Sequence, residues 1–413
     1  MLTFRHLLAG AGLALALAAP VHAARRAWVT SWFASPQPLW GGDFILPTNV
    51  PATLDDQSVR EVVQLSAGGK AIRVVLSNRY GDQPLVIGEV RVALPLHGAA
   101  VVTGSERVLT FGGKRSVVVP PGAPAISDPV AMTVASLSRL AITTYFPQRT
   151  PLSTFHWGAQ QTGYIAAGDT TGAGDMPQAS LLTGRAFLSA VLVEGAGRAR
   201  AVVALGDSLT DGNGSTPDLN HRWPDYLAHR LAPLGIGVAN AGISGARVLG
   251  DRMGVNALAR FEQDVLSQPG AGTVIVLMGI NDIGWPGSPF APAAAPMTAA
   301  ELIAGYRRLA AAARARKVRI VGATMPPFEG ALQGTPFEGH YSPAKDALRR
   351  EVNEWIRHGG VFDAVADFDA VTRDPQHPSR LLPAYDSGDH LHPGDAGYRA
   401  MADALGLHML FGD

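Results

Sequence analysis

Two hydrophobic rhythms divide the chain. From about Arg25 to Glu194, apolar residues alternate with more polar neighbours. Ile72, Val74 and Leu76 form one such series; Val86, Val90, Val92 and Leu94 form a second; Leu140, Ile142, Thr144 and Phe146 form a third. A period of two puts every second side chain on one face, so each series predicts a strand with one buried side. Gly68-Gly69, Gly81-Asp82 and Pro121-Gly122 mark turns between them. No convincing amphipathic helix interrupts the region. It reads as an all-β sandwich of jelly-roll type over residues 25–195. A polar, glycine-rich stretch from Gly168 to Asp175 precedes one more strand around Phe187 to Val193, and Gly195-Ala196-Gly197 marks the boundary.

From Arg198 the rhythm changes. Short continuous apolar runs, Ala201–Leu205, Val238–Asn240, Thr273–Met278, Val318–Ala323 and Val361–Phe368, alternate with helical patterns. Thr298 and Glu301 make a capping box ahead of Leu302, Tyr306 and Leu309 on one face. Ser342 caps a helix that starts at Pro343 and lines up Leu348, Val352, Trp355 and Ile356. A last helix groups Tyr398, Met401 and Leu405. Continuous apolar strands alternating with helices predict a parallel sheet covered on both faces, a three-layer α/β/α domain over residues 198–413. In such a sheet, ligands bind beyond the carboxyl ends of the strands. Ser208, Gly242 and Asn281 each follow such an end, so they are expected to converge.

Composition narrows the classes of function. The 413 residues are 47% hydrophobic and carry 34 basic against 34 acidic groups. With no basic excess to neutralise phosphates, neither nucleic acid nor an anionic membrane surface is an expected partner. There are no cysteines, which excludes disulfides, thiolate metal sites and cysteine nucleophiles. Residues 1–23 read as an export signal: Arg5 and His6 open it, Leu7 to Ala19 is apolar but shorter than the ~20 residues of a bilayer span, and Val21-His22-Ala23 offers a cleavage point. The mature chain is expected to be secreted or periplasmic, without stable membrane insertion.

The chemistry clusters in four places. Ser208, in Gly206-Asp207-Ser208-Leu209, sits between a strand and a helix start, where unsatisfied N–H groups favour a developing oxyanion; a simple helix cap would use the same residues. Asp389 and His392 have a spacing that lets a carboxylate turn to an imidazole, fix its tautomer and stabilise its charged form; a solvated surface loop would look alike. Asn240-Ala241-Gly242 can present a backbone N–H and Gly279-Ile280-Asn281-Asp282 a side-chain amide, each also readable as a turn. His390, His392 and Asp395 lack the ligand spacing of a metal site, so neither metal nor other cofactor is expected.

Taken jointly, these blocks resemble the SGNH (GDSL) hydrolase superfamily, from Arg198 to the C-terminus. The resemblance implies a flavodoxin-like α/β/α hydrolase domain with Ser208 as nucleophile, His392 as general base and acid, and Asp389 as its orienting carboxylate. It further implies an oxyanion hole from Ser208 N–H, Gly242 N–H and the Asn281 amide. The Gly-x-Ser-x-Gly elbow of α/β-hydrolases is absent. Trp28-Val29-Thr30-Ser31-Trp32 and the segment Tyr385–Pro393 are similar to the secreted arylesterase/acylhydrolase branch associated with xylan degradation. That implies a serine esterase acting on short acyl esters, acetyl groups of polysaccharide ahead of aryl esters. A lipase or lysophospholipase for longer chains, and a carbohydrate-binding protein with an inactive hydrolase domain, are the alternatives. Asp207 and Asp282 are expected to hold loops rather than react. Trp285, Arg247 and His156 are candidates for contact with substrate; the competing readings are core cover for Trp285, a surface salt bridge for Arg247 and a packed inter-domain contact for His156. Oligomeric state is not legible.

Overall fold

The computed structural model describes residues 27–195 and 200–412. The expected export signal at residues 1–23, and Ala196-Gly197 of the boundary, lie outside the described residues.

In the N-terminal region the alternation becomes two antiparallel sheets. One orders Trp28–Phe33, Leu188–Glu194, Gly69–Ser77 and Pro124–Ile126, with Val130–Val134 also on Gly69–Ser77. The other orders Ser180–Leu182, Gly163–Ala167, Gln57–Gln64, Arg139–Phe146, Glu89–Ala93 and Arg107–Val108. Ile72, Val74 and Leu76 of the first share one core with Val63, Leu140 and Ile142 of the second, which makes a sandwich. The series from Val86 to Leu94 is not one strand. Gly88 separates Leu85–Ile87 from Glu89–Ala93, and the two pieces pair in different sheets. The phase flips at the break: Leu85, Ile87, Val90 and Val92 are buried, while Val86 is half-buried and Leu94 exposed.

The C-terminal region builds one parallel sheet from β1 (Ala201–Gly206), β2 (Gly237–Gly242), β3 (Ala271–Leu277), β4 (Arg319–Ala323) and β5 (Ala364–Ala366). Its order is β2-β1-β3-β4-β5, the flavodoxin-like order. Helix Trp223–Leu231 packs on Asp395–Asp403, and Ala299–Ala315 on Pro343–His358. The domain is therefore three-layered α/β/α. The Thr298–Glu301 capping box and the Ser342 cap form as expected. The run from Val361 to Phe368 yields only the short β5, because Asp367 caps a new helix, Phe368–Thr372. In Pro343–His358 the buried stripe is partly polar. Arg349 reaches Met325 O, Asp346 and Asp369, while Leu348 and Trp355 are only half-buried.

The sandwich covers the open edge of the parallel sheet. Strand β2 is an edge strand, whose unpaired backbone groups call for a partner. Ser66 Oγ accepts from Val238 N–H at 2.8 Å, and Thr30 N–H donates to Pro269 O at 2.9 Å. Phe33, Ala190 and Leu192 join the hydrolase-side core. The two regions thus share buried surface next to the strand ends that carry the site.

Candidate active site

Parallel register brings the site together. Gly206 pairs with Gly242 on one side and with Leu277 on the other, so the loops after β1, β2 and β3 leave the sheet at one level. Ser208 opens the helical turn Ser208–Asp211, capped by Asp207, whose Oδ1 accepts from Leu209 N–H at 3.0 Å. Arg260, almost fully buried, donates to Gly206 O at 2.9 Å and Ala241 O at 2.8 Å. It ties the ends of β1 and β2 just before the candidate nucleophile and Gly242.

Ser208 Oγ lies 2.8 Å from His392 Nε2, and His392 Nδ1 lies 2.6 Å from Asp389 Oδ2. The loop is wound for this contact: Asp389 Oδ1 also accepts from Leu391 N–H at 2.9 Å and His392 N–H at 2.8 Å. Burial raises the Asp389 carboxyl, but the hydrogen bond and charge of His392, with those two N–H groups, outweigh it and hold the group well below the usual carboxylate range. An ionised Asp389 only accepts, so Nδ1 carries the proton and Nε2 keeps its lone pair for the serine hydroxyl. Ser208 and His392 are only 5% and 8% exposed, so little water competes for the pair.

The three expected oxyanion donors differ in state. Asn281 is buried. Its Nδ2 donates to Ala246 O at 3.1 Å and its Oδ1 accepts from Trp285 Nε1 at 3.2 Å. The amide is pinned at both ends, and its second N–H remains to donate. Ser208 N–H stands at the start of the helical turn. Gly242 N–H donates at 2.9 Å to Asn240 Oδ1, and Asn240 Nδ2 is in turn held on Thr210 O at 2.8 Å. Gly242 must be glycine: a Cβ there would lie 2.3 Å from Asp211 N.

Of the two loop-holding residues, Asp207 acts locally on Leu209 and Asp282 acts over a longer range than expected. Asp282 accepts from Val248 N–H at 2.8 Å and Leu249 N–H at 3.0 Å, so it holds the loop after Gly242 rather than its own. Burial pushes its carboxyl up to about 6 against the pull of those N–H groups. Burial pushes Asp207 up to about 8, with the Asp282 charge adding and the Leu209 N–H opposing; its Oδ2 has no partner among the described residues.

Two of the three candidates for substrate contact, Trp285 and His156, are buried and need correction. Trp285 is 2% exposed and stacks on Phe290 and Phe44; it packs and pins Asn281, with no face open to a ligand. Arg247 is half-buried with its guanidinium 4.7 Å over the Trp285 ring, so it lids the tryptophan. His156 is buried in the seam between the two regions, its Nδ1 3.0 Å from Ser35 O and its Nε2 2.9 Å from Asp211 Oδ1. Asp211 Oδ2 accepts from Ser244 N–H at 3.0 Å and Ser244 Oγ at 2.7 Å. The sandwich therefore grips the far end of the Ser208 turn through His156. Sequence reasoning missed Asp211, Ser244 and Arg260, because their partners lie on other strands and carry no local spacing. Among the described residues, no group of three or more His, Asp or Glu side chains could hold a metal. Asp395 instead faces Thr216 and His221.

Residues 202–405 match the family model described as GDSL-like lipase/acylhydrolase. The C-terminal domain is a GDSL hydrolase. Solved structures similar to this GDSL domain include an acetylxylan esterase from Geobacillus stearothermophilus, with 25% identity, 50% of this chain and 93% of that one covered, and a TM-score of 0.36. An M. smegmatis aryl esterase shows 16% identity over 50% and 96% of the chains, with a TM-score of 0.39. A carbohydrate acetylesterase family member from Sinorhizobium meliloti shows 19% identity over 50% and 95%, with a TM-score of 0.38. No curated protein matches the chain. With this domain, the protein is an ester hydrolase.

Proposed function

We propose that the protein is an exported serine esterase that releases short acyl groups, acetyl first, from polysaccharide or aryl esters. The observation that carries this reading is the hydrogen-bonded chain from Ser208 Oγ through His392 to Asp389 Oδ2. Ser208 Oγ attacks the ester carbonyl while His392 Nε2 takes its proton. The tetrahedral oxyanion receives hydrogen bonds from Ser208 N–H and the free N–H of Asn281, and Gly242 N–H shares its hydrogen away from Asn240 Oδ1. The C–O bond to the alcohol breaks as His392 returns the proton to the leaving oxygen. Water, deprotonated by His392, then attacks the acyl-enzyme, and the acid departs with Ser208 restored. Asp389 stays ionised and offsets the charge on the imidazolium.

A p-nitrophenyl ester series tests the reading. Turnover is expected to be highest on the short-chain members of the series and to fall at least ~10³-fold in Ser208→Ala. A maximum at eight carbons or longer removes the short-acyl assignment; wild-type turnover in Ser208→Ala removes the mechanism. Export is tested by sequencing the N-terminus of protein recovered outside the cytoplasm, with a start near residue 24 expected.

A further inference from the structure

Beside the Asp389–His392 loop lies an open cleft of about 1070 Å³. We propose that it is the alcohol-side subsite of the esterase, taking a neutral, polyhydroxylated sugar unit, with His390 as the residue that reads it. The proposal rests on the esterase reading above and narrows its alcohol, polysaccharide or aryl there, to a neutral sugar read by a named residue.

Position is the first argument. Asp386, Gly388 and His390 line the cleft and belong to the same loop as Asp389 and His392. The opposite wall is tied to that loop by Leu332 N–H, which donates to Asp389 O at 2.9 Å. Ser208 and His392 do not line the cleft itself, so in this proposal the alcohol part of the ester reaches it by crossing the Asp389–His392 loop, whose His390 belongs to the lining.

Lining chemistry selects the ligand. Glu329, Glu338 and Asp386 bring three carboxylates, and Arg380 one guanidinium. Arg380 is spent on Glu329, at 2.8 Å through Nε and 2.5 Å through Nη2. Among the described residues lining the cleft, no unpaired Lys or Arg is left to hold a phosphate or uronate, and the carboxylates repel both. The same charged groups would be desolvated at a cost by an alkyl chain. A neutral polyol suits them: its hydroxyls donate to carboxylates and accept from N–H groups. Tyr341, its ring set edge-on to Phe328 at 5.3 Å, adds an amphipathic surface of the kind that packs on a sugar.

His390 shows the marks of a held recognition group. Its backbone is left-handed, φ 60°, a state that histidine enters more readily than most residues and that the hydrogen bonds below hold in place. Asp386 holds it twice, Oδ2 at 2.5 Å from Nδ1 and Oδ1 accepting its backbone N–H at 3.1 Å. The side chain is 53% exposed, so core packing does not explain the arrangement. Nε2 has no partner among the described residues and is the atom left for a substrate hydroxyl. The loop thus carries two aspartate-held histidines, His392 toward the serine and His390 toward the cleft.

The test compares kcat/KM on a monoacetylated neutral methyl glycoside, a monoacetylated methyl glucuronide and p-nitrophenyl acetate, using the full chain. The wild type is expected to prefer the neutral sugar ester over the glucuronide at least tenfold. In His390→Ala, and separately in the exposed-site variant Glu338→Ala, the ratio of neutral sugar ester to p-nitrophenyl acetate is expected to fall, at least tenfold for His390→Ala and threefold for Glu338→Ala, mainly through KM. If both variants fold with wild-type melting temperatures and neither ratio moves, the subsite assignment is overturned; a preference for the glucuronide overturns the neutral-ligand assignment. A wild type that fails on p-nitrophenyl acetate and on both sugar esters instead overturns the esterase reading.

Discussion

Trp285→Phe isolates a single hydrogen bond behind the oxyanion hole. The phenyl ring keeps stacking partners Phe290 and Phe44 but loses the indole N–H that holds Asn281 Oδ1 at 3.2 Å. Asn281 then stays pinned only through Nδ2 on Ala246 O, and its amide can turn away from the reacting oxygen. A neutral hydrogen bond of this kind is worth about 1 kcal/mol net, which corresponds to a loss of about fivefold in kcat. Removing the amide itself, in Asn281→Ala, should cost about 10²–10³-fold. The decisive variant is the double one. If Trp285 acts through Asn281, adding Trp285→Phe to Asn281→Ala should lower kcat by less than about twofold, because the group it orients is gone. Steady-state kcat on p-nitrophenyl acetate, with melting temperature measured in parallel, gives all four corners of the cycle. An equal fivefold loss in both backgrounds would refute the orienting role and leave Trp285 as packing alone.

Other consequences are equally direct. His156→Ala leaves the buried Asp211 Oδ1 without its donor, which should lower stability by about 1–3 kcal/mol and reduce kcat, since Asp211 ends the Ser208 turn; calorimetry and kinetics that both match wild type would rule out the grip of the sandwich on the site. Gly242→Ala forces the Asp211 backbone aside, and a shift of that kind should cost about 100-fold or more in kcat; wild-type turnover would refute it. Asp207 keeps its proton to about pH 8 when folded but releases it near pH 4 when unfolded, so the folded state holds more protons between those values and stability falls as pH rises. Asp207→Asn should remove a slope of up to about 1.4 kcal/mol per pH unit, and its melting temperature should gain more at pH 8 than at pH 5; an equal change at both would contradict a buried neutral carboxyl. His340 has the opposite sign: burial, with the charges of Lys345 and His392, lowers it to about 3, and both ring nitrogens lack partners among the described residues. Between about pH 3 and 6.5 the unfolded state holds the extra proton, so stability rises with pH there. His340→Leu should flatten that rise at little cost near pH 7, as read from urea midpoints across pH; a large loss at pH 7 would show a hidden partner.

The sequence by itself carried whatever depends on local period and short spacing. Alternation in Ile72, Val74 and Leu76 implied the sandwich, continuous runs such as Ala201–Leu205 implied the parallel sheet, and caps at Thr298 and Ser342 marked helix starts within a residue. Asp389 and His392 were legible because three residues separate them and one turn of loop joins them. Ser208, Gly242 and Asn281 were expected to converge because ligands gather where parallel strands end, whereas the meeting of His392 with Ser208 was implied only by the family resemblance. Only tertiary structure decided what the long-range partners do. His156 and Trp285 could be read from sequence either as substrate contacts or as packing, and burial spends one on Asp211 and the other on Asn281. Arg260 gave no signal, and Asp282 gave none of its actual partners, because a buried charged side chain is recognised by carbonyls and N–H groups from distant segments, and no local spacing encodes those. The break at Gly88 likewise escaped the alternation, since a one-residue change of phase depends on which sheet each half joins.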